Sequence, residues 1–267
     1  MSPDQKAWAK TLFKKSVLKQ AKWRRIRALL PPLAGKRCLD IGADNGVISL
    51  LLRELGGDWT SADLDPVAVR SIAELVGQPV HQISGRATPF ADNAFDLVVI
   101  VDFLEHTPTD QAFVQDLKRI LKPGGSLIVN VPHLKPHSLL NRLRHAIGLT
   151  DEKHGHVRPG YSRQGLADLL GPDFVGQAAL TYSKTFSEAI DTALNFLYEV
   201  LQSKKDRVRQ GSKGAVVTAD DLASHRKELR LLSALYPLLW LVSKLDGLLF
   251  WSSGYKMIMR ARLRPND

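Results

Sequence analysis

The sequence predicts one α/β domain in which a doubly wound, mostly parallel sheet carries helices on both faces. Between residues 37 and 131, short apolar segments alternate with amphipathic ones. The apolar segment at residues 95–102 is rich in β-branched residues, which is typical of a parallel strand buried on both faces. At 267 residues, the chain has room for such a domain and an insertion.

Seven segments are predicted to be strands, and the last alternates apolar and basic residues, so we expect it to be half exposed. The strands comprise residues 37–41, 59–63, 80–84, 95–102, 126–131, 177–184 and 257–263. Asp65 and Pro66 are typical of a helix start. The other predicted helices comprise residues 5–30, 46–55, 111–121, 162–170, 186–202 and a long helix that ends near Tyr236.

The first of these helices carries two apolar stripes that do not join in one continuous helix. Lys15 and Lys19 would lie on the joined stripe, so we expect a break near residues 18–21. Pro31 and Pro32 then end the helical segment.

Composition divides the chain into three parts. Residues 1–32 form a basic helical segment, residues 33–185 and 253–267 form the α/β core, and residues 186–252 form a helical insertion before the last strand. Within the insertion, residues 203–214 are polar and charged, which predicts a linker.

The net charge of +10 is concentrated in the N-terminal segment. Residues 1–37 hold eleven lysines and arginines against one acid, Asp4, and the remaining 26 basic and 26 acidic residues balance. A concentrated basic segment attracts phosphate, either of nucleic acid or of lipid headgroups.

The single cysteine, Cys38, excludes a disulfide framework and a cysteine-based zinc site within one chain, and fits a reducing, cytoplasmic compartment. We expect no secretory signal, because lysines interrupt the first 30 residues. Charged residues and Pro237 interrupt the most apolar stretch, residues 231–251, so we do not expect it to span a bilayer.

The strongest functional motif is LDIGADNG at residues 39–46. A strand ends in an acid, a glycine loop follows, and a helix starts at once, which lets the backbone approach a ligand closely. Gly42 and Gly46 are four residues apart and the third glycine of a dinucleotide fingerprint is missing, which argues against a nicotinamide cofactor.

Further segments follow this motif in a characteristic order. Asp63 ends the second strand, where a carboxylate can accept hydrogen bonds from both hydroxyls of a ribose. PFADNAFDLVVIVDFLEH then occupies residues 89–106, and LKRILKPGGSLIVNVPH occupies residues 117–133. Over residues 39–133 the chain resembles class I S-adenosylmethionine-dependent methyltransferases, a Rossmann-like fold, and most closely the branch with ubiquinone- and menaquinone-type methyltransferases.

The resemblance implies that S-adenosyl-L-methionine is the cofactor and assigns residues to its parts. Asp63 would bind the ribose, Leu64 would pack on the adenine, and Asp102 and Phe103 would lie beside the methyl donor. The residues implied at the methionine end and near the adenine amine are Asp40, Gly42, Ala43, Asp44 and Gly46, and Ser84, Gly85 and Arg86. Two positions depart from the family pattern: Asp44 replaces a glycine, and residues 84–86 lack the usual acid.

Methyl transfer of this kind is a direct displacement, which we expect to proceed without a metal. Alignment of donor and acceptor is the main contribution, worth roughly 7–11 kcal/mol at best. A general base would be needed only for a hydroxyl or similar acceptor. The candidates are His106, His133 and His156, with His154 in the same loop as His156 and Tyr161 as an orienting group.

The acceptor is predicted to be a small hydrophobic molecule such as a lipid or isoprenoid intermediate. The insertion is more apolar than a small domain needs, and it could cap the cleft or meet a membrane surface to which the basic segment attaches electrostatically. Ordinary helical core and a contact between subunits are the alternatives for these apolar residues.

Two other functions stay open at this point. The chain could methylate RNA, with the basic helix binding phosphate, although the sequence VDFLEH after the fourth strand differs from the motif of nucleobase amino-methylating enzymes. It could also be a methyltransferase-like protein that binds the cofactor without catalysis.

Overall fold

The computed structural model describes residues 3–43, 45–151, 153, 155–203 and 226–265. A seven-stranded sheet with the order β3-β2-β1-β4-β5-β7-β6 forms its centre. The strands are β1 (Arg37–Ile41), β2 (Asp58–Asp63), β3 (His81–Gln82), β4 (Phe95–Val101), β5 (Leu121–Pro132), β6 (Phe174–Tyr182) and β7 (Lys256–Leu263). The first five strands run parallel, and β7 is antiparallel to both β5 and β6.

Helices cover both faces of the sheet, as the alternating pattern predicts. They are α1 (Pro3–Lys14), α2 (Val17–Leu29), α3 (Val47–Arg53), α4 (Pro66–Val76), α5 (Asp110–Ile120), α6 (Leu139–Ala146), α7 (Arg163–Leu170), α8 (Thr185–Ser203) and α9 (Arg226–Lys244). One apolar cluster joins the sheet to α5 and α7, and a second joins it to α1, α2, α3 and α4. The doubly wound architecture is therefore confirmed.

The N-terminal helical segment breaks earlier than the expected position at residues 18–21. The chain turns at residues 15–16, because the hydroxyl of Ser16 accepts a hydrogen bond from the N–H of Lys19 and caps α2. This local cap decides the break, whereas the apolar stripes locate it only approximately.

Two other boundaries differ from the sequence-based expectation. Residues 122–125 belong to strand β5 rather than to a turn before it, since Leu121 already pairs with Phe95 of β4. Helix α9 continues past Tyr236 to Lys244 and contains Pro237. The predicted linker lies, apart from Ser203, outside the described residues.

The expectation that the last strand is half exposed holds for its second half, where Arg260, Arg262 and Leu263 are at least partly exposed, and fails for residues 257–259. β7 lies between β5 and β6 and not at the edge of the sheet. Met257, Ile258 and Met259 are buried, because both of their faces are covered by the neighbouring helices and strands. The basic residues that suggested exposure lie at its ends and between its buried positions.

The insertion between β6 and β7 is anchored at the start of α8 by one carboxylate. Asp246, in the 3-10 turn after α9 (Leu245–Leu248), accepts hydrogen bonds from the backbone N–H groups of Lys184 at 2.8 Å and Phe186 at 2.9 Å. These N–H groups lie at the start of α8, where backbone N–H groups have no hydrogen-bond acceptors within the helix. Asp246 therefore fastens the end of the insertion to its beginning.

Replacing Asp246 with alanine is expected to lower the free energy of unfolding by about 0.5–2 kcal/mol, the usual effect of losing an N-cap. Denaturant unfolding measures this loss, and hydrogen exchange should show faster opening of residues 185–203. Asp168→Ala is the matched control, because Asp168 is exposed and accepts a hydrogen bond from Gln164 within α7. Equal stability of the Asp246→Ala and Asp168→Ala variants would contradict the capping role.

Candidate active site

The candidate site lies where the carboxyl ends of the parallel strands meet. β1 leads into Gly42, β2 ends at Asp63, β4 leads into Asp102, and β5 leads into His133. In open α/β sheets, ligands bind in the crevice at this edge. The residues that the sequence predicts for the cofactor and for catalysis therefore belong to one edge of the sheet.

The glycine loop after β1 packs tightly against the loop after β4. Gly42 has a φ of 79°, and a Cβ atom there would overlap the carbonyl oxygen of Val101 and lie 2.9 Å from Cβ of Phe103. Gly46 has a φ of 81°, and its Cβ would lie 2.9 Å from Cα of Ile72. Only glycine fits both positions. Ala43 between them is buried, and Asp44 lies outside the described residues.

Asp40 supports the glycine loop from inside the domain. Its side chain is fully buried and accepts hydrogen bonds from Ser49 and, at 2.7 Å, from Ser61, and it is paired with Arg53 at 3.4 Å. Burial raises the pKa of its carboxyl group, and these partners oppose the rise. The structure thus gives the Asp40 carboxylate a set of protein partners behind the loop.

Asp63 occupies the tip of β2 and is 7% exposed. Its carboxylate accepts a hydrogen bond of 3.1 Å from the N–H of Asp65, which fixes the turn into α4. Leu64 is partly buried and packs against the apolar cluster on the α5 side of the sheet. An acid at this place, beside an apolar side chain, matches what a ribose and an adenine ring require.

Residues 84–86, where an acidic residue was expected, form a tight turn. The hydroxyl of Ser84 accepts hydrogen bonds from the N–H groups of Arg86 and Ala87, and donates one to the carbonyl of Ala87. A Cβ at Gly85 would lie 2.9 Å from the side chain of Thr107. The Ser84 hydroxyl is therefore engaged in the turn.

Asp102 is held by two side chains from different elements. The amide of Asn130 on β5 donates to it at 2.7 Å, and the ammonium group of Lys22 on α2 forms an ion pair with it. Burial alone would raise the pKa of Asp102, but the charges of Lys22 and Lys256 bring it below its ordinary value. Asp102 is therefore ionised in the site. Phe103 beside it is buried against Phe113.

Sequence reasoning missed Lys22, which it counted as one of the surface charges of the basic segment. Lys22 precedes the fully buried Ile26 by one helical turn and so lies on the inward face of α2. That spacing was the available indication in the sequence that Lys22 faces inward.

A small cavity of about 190 Å³ separates α1 and α2 from the glycine loop and is lined by residues that include Trp8, Phe13 and Asn45.

Two of the three candidate bases have a defined tautomer. Nδ1 of His106 lies 2.9 Å from the carbonyl of Gly155, and Nδ1 of His133 lies 2.8 Å from the carbonyl of Gly254. Because a carbonyl oxygen can only accept, each Nδ1 carries the hydrogen and each neutral ring keeps its acceptor lone pair on Nε2.

The structure brings His156 into contact with His106 but not with His133. The rings of His106 and His156 meet edge to face with 4.9 Å between their centroids, and His156 lies 3.7 Å from Asp151. His133 is bridged to Tyr161 at the end of β5. His154 lies outside the described residues.

Tyr161 is a buried structural residue of the loop that carries His156. Its hydroxyl donates to the carboxylate of Asp110 at 2.8 Å, and burial raises its pKa to about 12. Arg158 forms an ion pair with the same carboxylate. The backbone N–H of Val157 also donates to the carbonyl of Glu105, so the loop is bound to the turn after β4.

Glu105 is a second residue that the sequence-based analysis did not single out. It is 1% exposed, and burial together with the nearby charge of Asp102 raises its pKa to about 8. One ligand atom from each of Glu105, His106 and His156 lies within 4.8 Å of the other two, a spacing that suits a shared divalent cation. The Oε2 atom of Glu105 has no hydrogen-bond partner among the described residues.

Comparison with known proteins agrees with this geometry. Residues 39–129 match a family model described as a methyltransferase domain. Demethylmenaquinone methyltransferase of Tropheryma whipplei (strain Twist) is 34% identical over 128 residues, which are 46% of this chain and 53% of that protein. Ubiquinone biosynthesis O-methyltransferase of Pseudomonas fluorescens (strain Pf0-1) is 26% identical over 189 residues, covering 64% of this chain and 81% of that protein.

A solved structure extends the likeness to nearly the whole fold. The SAM-dependent methyltransferase from Thermotoga maritima superimposes with a TM-score of 0.54 and 18% identity. The superposition covers 97% of this chain and 96% of the T. maritima chain. The chain spans about half the length of several of the curated relatives it matches. Residues 39–129 are thus similar to a methyltransferase domain, and the superposition shows the same fold.

The raised pKa of Glu105 predicts how stability depends on pH. Its carboxyl is protonated in the folded protein up to about pH 8 but ionises at its ordinary value of 4.5 when unfolded. The unfolded state therefore binds fewer protons in this window, and stability falls as the pH rises through it. Glu105→Gln should flatten this fall and be more stable at the upper end, by on the order of a few kcal/mol.

Thermal and denaturant unfolding from pH 4.5 to 8 with EDTA present would test this, since the chelator prevents a cation from neutralising the carboxylate. Glu54→Gln, at an exposed position, is the control. Parallel stability curves for the wild type and Glu105→Gln would contradict the raised pKa.

Proposed function

We propose that this protein transfers a methyl group from S-adenosylmethionine to a small hydrophobic acceptor. The observation that carries the proposal is the edge of the sheet where the Gly42 loop, Asp63 and Asp102 meet, with Lys22 of α2 paired to Asp102. When bound, the cofactor supplies a methyl group that is already electrophilic, so the protein has to align it with the acceptor and exclude water.

The cofactor-binding residues of this proposal are those of the carboxyl edge. The backbone at Gly42 and Gly46 leaves room for a close approach, and the carboxylate of Asp63 accepts hydrogen bonds from the ribose hydroxyls. Leu64 and Phe103 provide apolar contacts, and Asp102 provides the negative charge that suits an ammonium group. Ala43, Asp44, Ser84, Gly85 and Arg86 border the same edge.

The hydrophobic acceptor is supported by an apolar surface on the insertion, which we call the apolar cap. It contains large side chains that are exposed, among them Phe250 at 83% and Trp251 at 71%. The others on α9 and the turn after it are Leu235, Leu238, Trp240, Leu241, Leu245 and Leu248. The T. whipplei and P. fluorescens relatives are named for menaquinone and ubiquinone precursors, which are apolar.

An anionic membrane surface is where the protein would meet such an acceptor. The basic N-terminal segment adjoins the apolar cap: the ammonium group of Lys15, in the turn before α2, lies 5.2 Å from the ring centre of Tyr236 on α9, and Gln20 of α2 is hydrogen-bonded to the Tyr236 hydroxyl. Arg24 and Arg25 are exposed on α2. No helix among the described residues is long and apolar enough to span a bilayer. Basic and apolar surfaces side by side suit peripheral attachment.

Proton removal from a hydroxyl acceptor would fall to the histidines at the site. His106 and His133 each keep an Nε2 lone pair for this role, and His156 packs against His106. A positioned base contributes roughly 10²–10⁴-fold to such reactions.

Calorimetric titration tests the cofactor site. S-Adenosylmethionine should bind the wild type with micromolar affinity, about −8 kcal/mol, and Asp63→Ala should bind it about ten- to a hundredfold more weakly, since a lost charge-assisted hydrogen bond costs roughly 1.5–3 kcal/mol. Asp58→Ala is the matched control, because Asp58 is exposed at the opposite end of the same strand. No binding by the wild type, or equal binding by both variants, would refute the assigned site.

Vesicle flotation tests the membrane surface. The wild type should float with anionic phosphatidylglycerol vesicles, less so at high salt, and not with neutral ones. The double variant Phe250→Ser and Trp251→Ser should bind at least roughly tenfold more weakly, because each apolar side chain contributes roughly 1.5–3 kcal/mol when buried. Leu55→Ser, 40% exposed outside the apolar cap, is the control. A wild type that stays unbound would exclude the membrane surface.

A further inference from the structure

Three side chains beside the candidate site converge on one point, and the carboxylate among them has no role in the proposed methyl transfer. Glu105 and His106 lie in the 3-10 turn Leu104–His106 after β4, and His156 lies in the loop between α6 and α7. One ligand atom from each of the three lies within 4.8 Å of the other two. Two imidazoles and one carboxylate are a set of ligands that proteins use for metal ions.

The carboxylate of Glu105 needs a partner that the described residues do not supply. The residue is 1% exposed, and its Oε2 atom has no hydrogen-bond partner in the part of the chain that the structure describes. Burying a carboxylate is costly unless it is hydrogen-bonded, paired with a charge or bound to a metal ion. His106 and His156 are only partly buried, so an ion can enter from the solvent on the side of the two rings.

The loop that carries His156 is held against the other two ligands on both sides of that residue. The carbonyl of Gly155 accepts a hydrogen bond of 2.9 Å from Nδ1 of His106, and the N–H of Val157 donates to the carbonyl of Glu105 at 2.8 Å. The residues before and after His156 thus contact one of the other ligands each. The imidazole of His156 is therefore placed beside the pair before any ion binds.

The surroundings of the two imidazoles suit metal ligands. Because Nδ1 of His106 donates to Gly155, the lone pair of that ring is on Nε2. Nδ1 of His156 lies 3.7 Å from the carboxylate of Asp151. A backbone carbonyl or a carboxylate is the usual partner of the ring nitrogen that does not bind the metal.

We propose that Glu105, His106 and His156 bind a zinc ion, which fastens the loop of His156 to the turn after β4. Imidazole suits zinc, whereas magnesium and calcium prefer oxygen ligands. Zinc lies about 2.0–2.1 Å from its nitrogen ligands, so a tetrahedral ion brings ligand atoms to about 3.4 Å apart, which small rotations of the side chains achieve. Three protein ligands leave the fourth position to water.

The zinc site goes beyond the proposed function and does not depend on it. The ion joins two loops, and methyl transfer stays a direct displacement. Because Nε2 of His106 binds the ion, that ring cannot remove a proton from an acceptor, which leaves His133 for the role of base. The site contains no cysteine, and so it differs from the cysteine-based zinc sites that the sequence excludes.

Competitive titration measures the site without any activity. Tag-free protein is stripped of metal with EDTA, dialysed, and titrated with zinc against a coloured chelator of known affinity. The wild type should bind one equivalent with a dissociation constant of about 1 µM or below. His156→Ala and Glu105→Gln should each bind zinc at least roughly a hundredfold more weakly, since the loss of an outer partner alone costs roughly 10–100-fold. His137→Ala removes an exposed histidine outside the cluster and is the matched control.

A second measurement uses the wild type alone and does not depend on the folding of any variant. Cobalt(II) in place of zinc should show the strong visible absorption of a four-coordinate ion, unlike the weak absorption of the hydrated ion. Magnesium at millimolar concentration should not displace it. Hydrogen exchange of residues 155–161 should slow when zinc is bound, because an ion that binds only the closed loop opposes its local opening.

The outcomes separate the zinc site from chance binding and from the proposed function. No binding at micromolar zinc, equal affinity of the wild type and His156→Ala, or displacement by magnesium overturns the proposal. Binding that weakens as much in His137→Ala as in His156→Ala is adventitious and overturns it too. A protein that binds zinc as expected but does not bind S-adenosylmethionine would refute methyl transfer and leave the zinc site.

Discussion

The ion pair between Lys22 and Asp102 holds the N-terminal helices over the carboxyl edge of the sheet, and the rest of the site depends on it. Asp102 follows β4 and Lys22 comes from α2, so the pair joins the basic segment to the core. Breaking a largely buried pair by removing one partner leaves an uncompensated charge, which costs more than the pair itself contributes. Asn130 and Tyr182 extend the contact through β5 to β6. This ion pair and the apolar contacts of Ile26 together hold α2 in place, and α2 in turn contacts α8 of the insertion.

The alternation of apolar segments predicted the sheet and its helices, because backbone hydrogen bonding and side-chain period are local properties. The glycine loop was predictable for the same reason: Gly42 and Gly46 need positive φ whatever surrounds them. The environment of Asp40 was not predictable, since Ser49, Ser61 and Arg53 reach it only after the chain folds. The burial of β7 was also missed, because a strand's place in the sheet order depends on contacts distant in the sequence. Glu105 looks like a surface charge in the sequence, and only packing shows that it faces inward.

The two halves of the site follow different physical rules. On the β1 and β2 side, close backbone approach and one acid at a strand tip define a polar crevice, and little freedom remains there because glycine is required. On the β5, β7 and α8 side, charges and apolar residues come together from distant parts of the chain. Electrostatics in that half depends on burial, which makes the charge of each group sensitive to what covers it. The β1 and β2 side therefore tolerates few sequence changes, whereas the β5, β7 and α8 side tolerates more.

The meeting of the two ends of the insertion makes it exchangeable. The N–H of Tyr255 donates to the carbonyl of Ser183 at 2.7 Å, and a Cβ at Gly254 would overlap the backbone of Tyr182. The chain therefore leaves the sheet and returns to it at one point, as in an ordinary hairpin. The entropic cost of closing such a loop grows only with the logarithm of its length. Segments of different length and chemistry can be accommodated there while the hairpin stays in register, so the insertion can change by insertion and deletion without altering the domain that carries it.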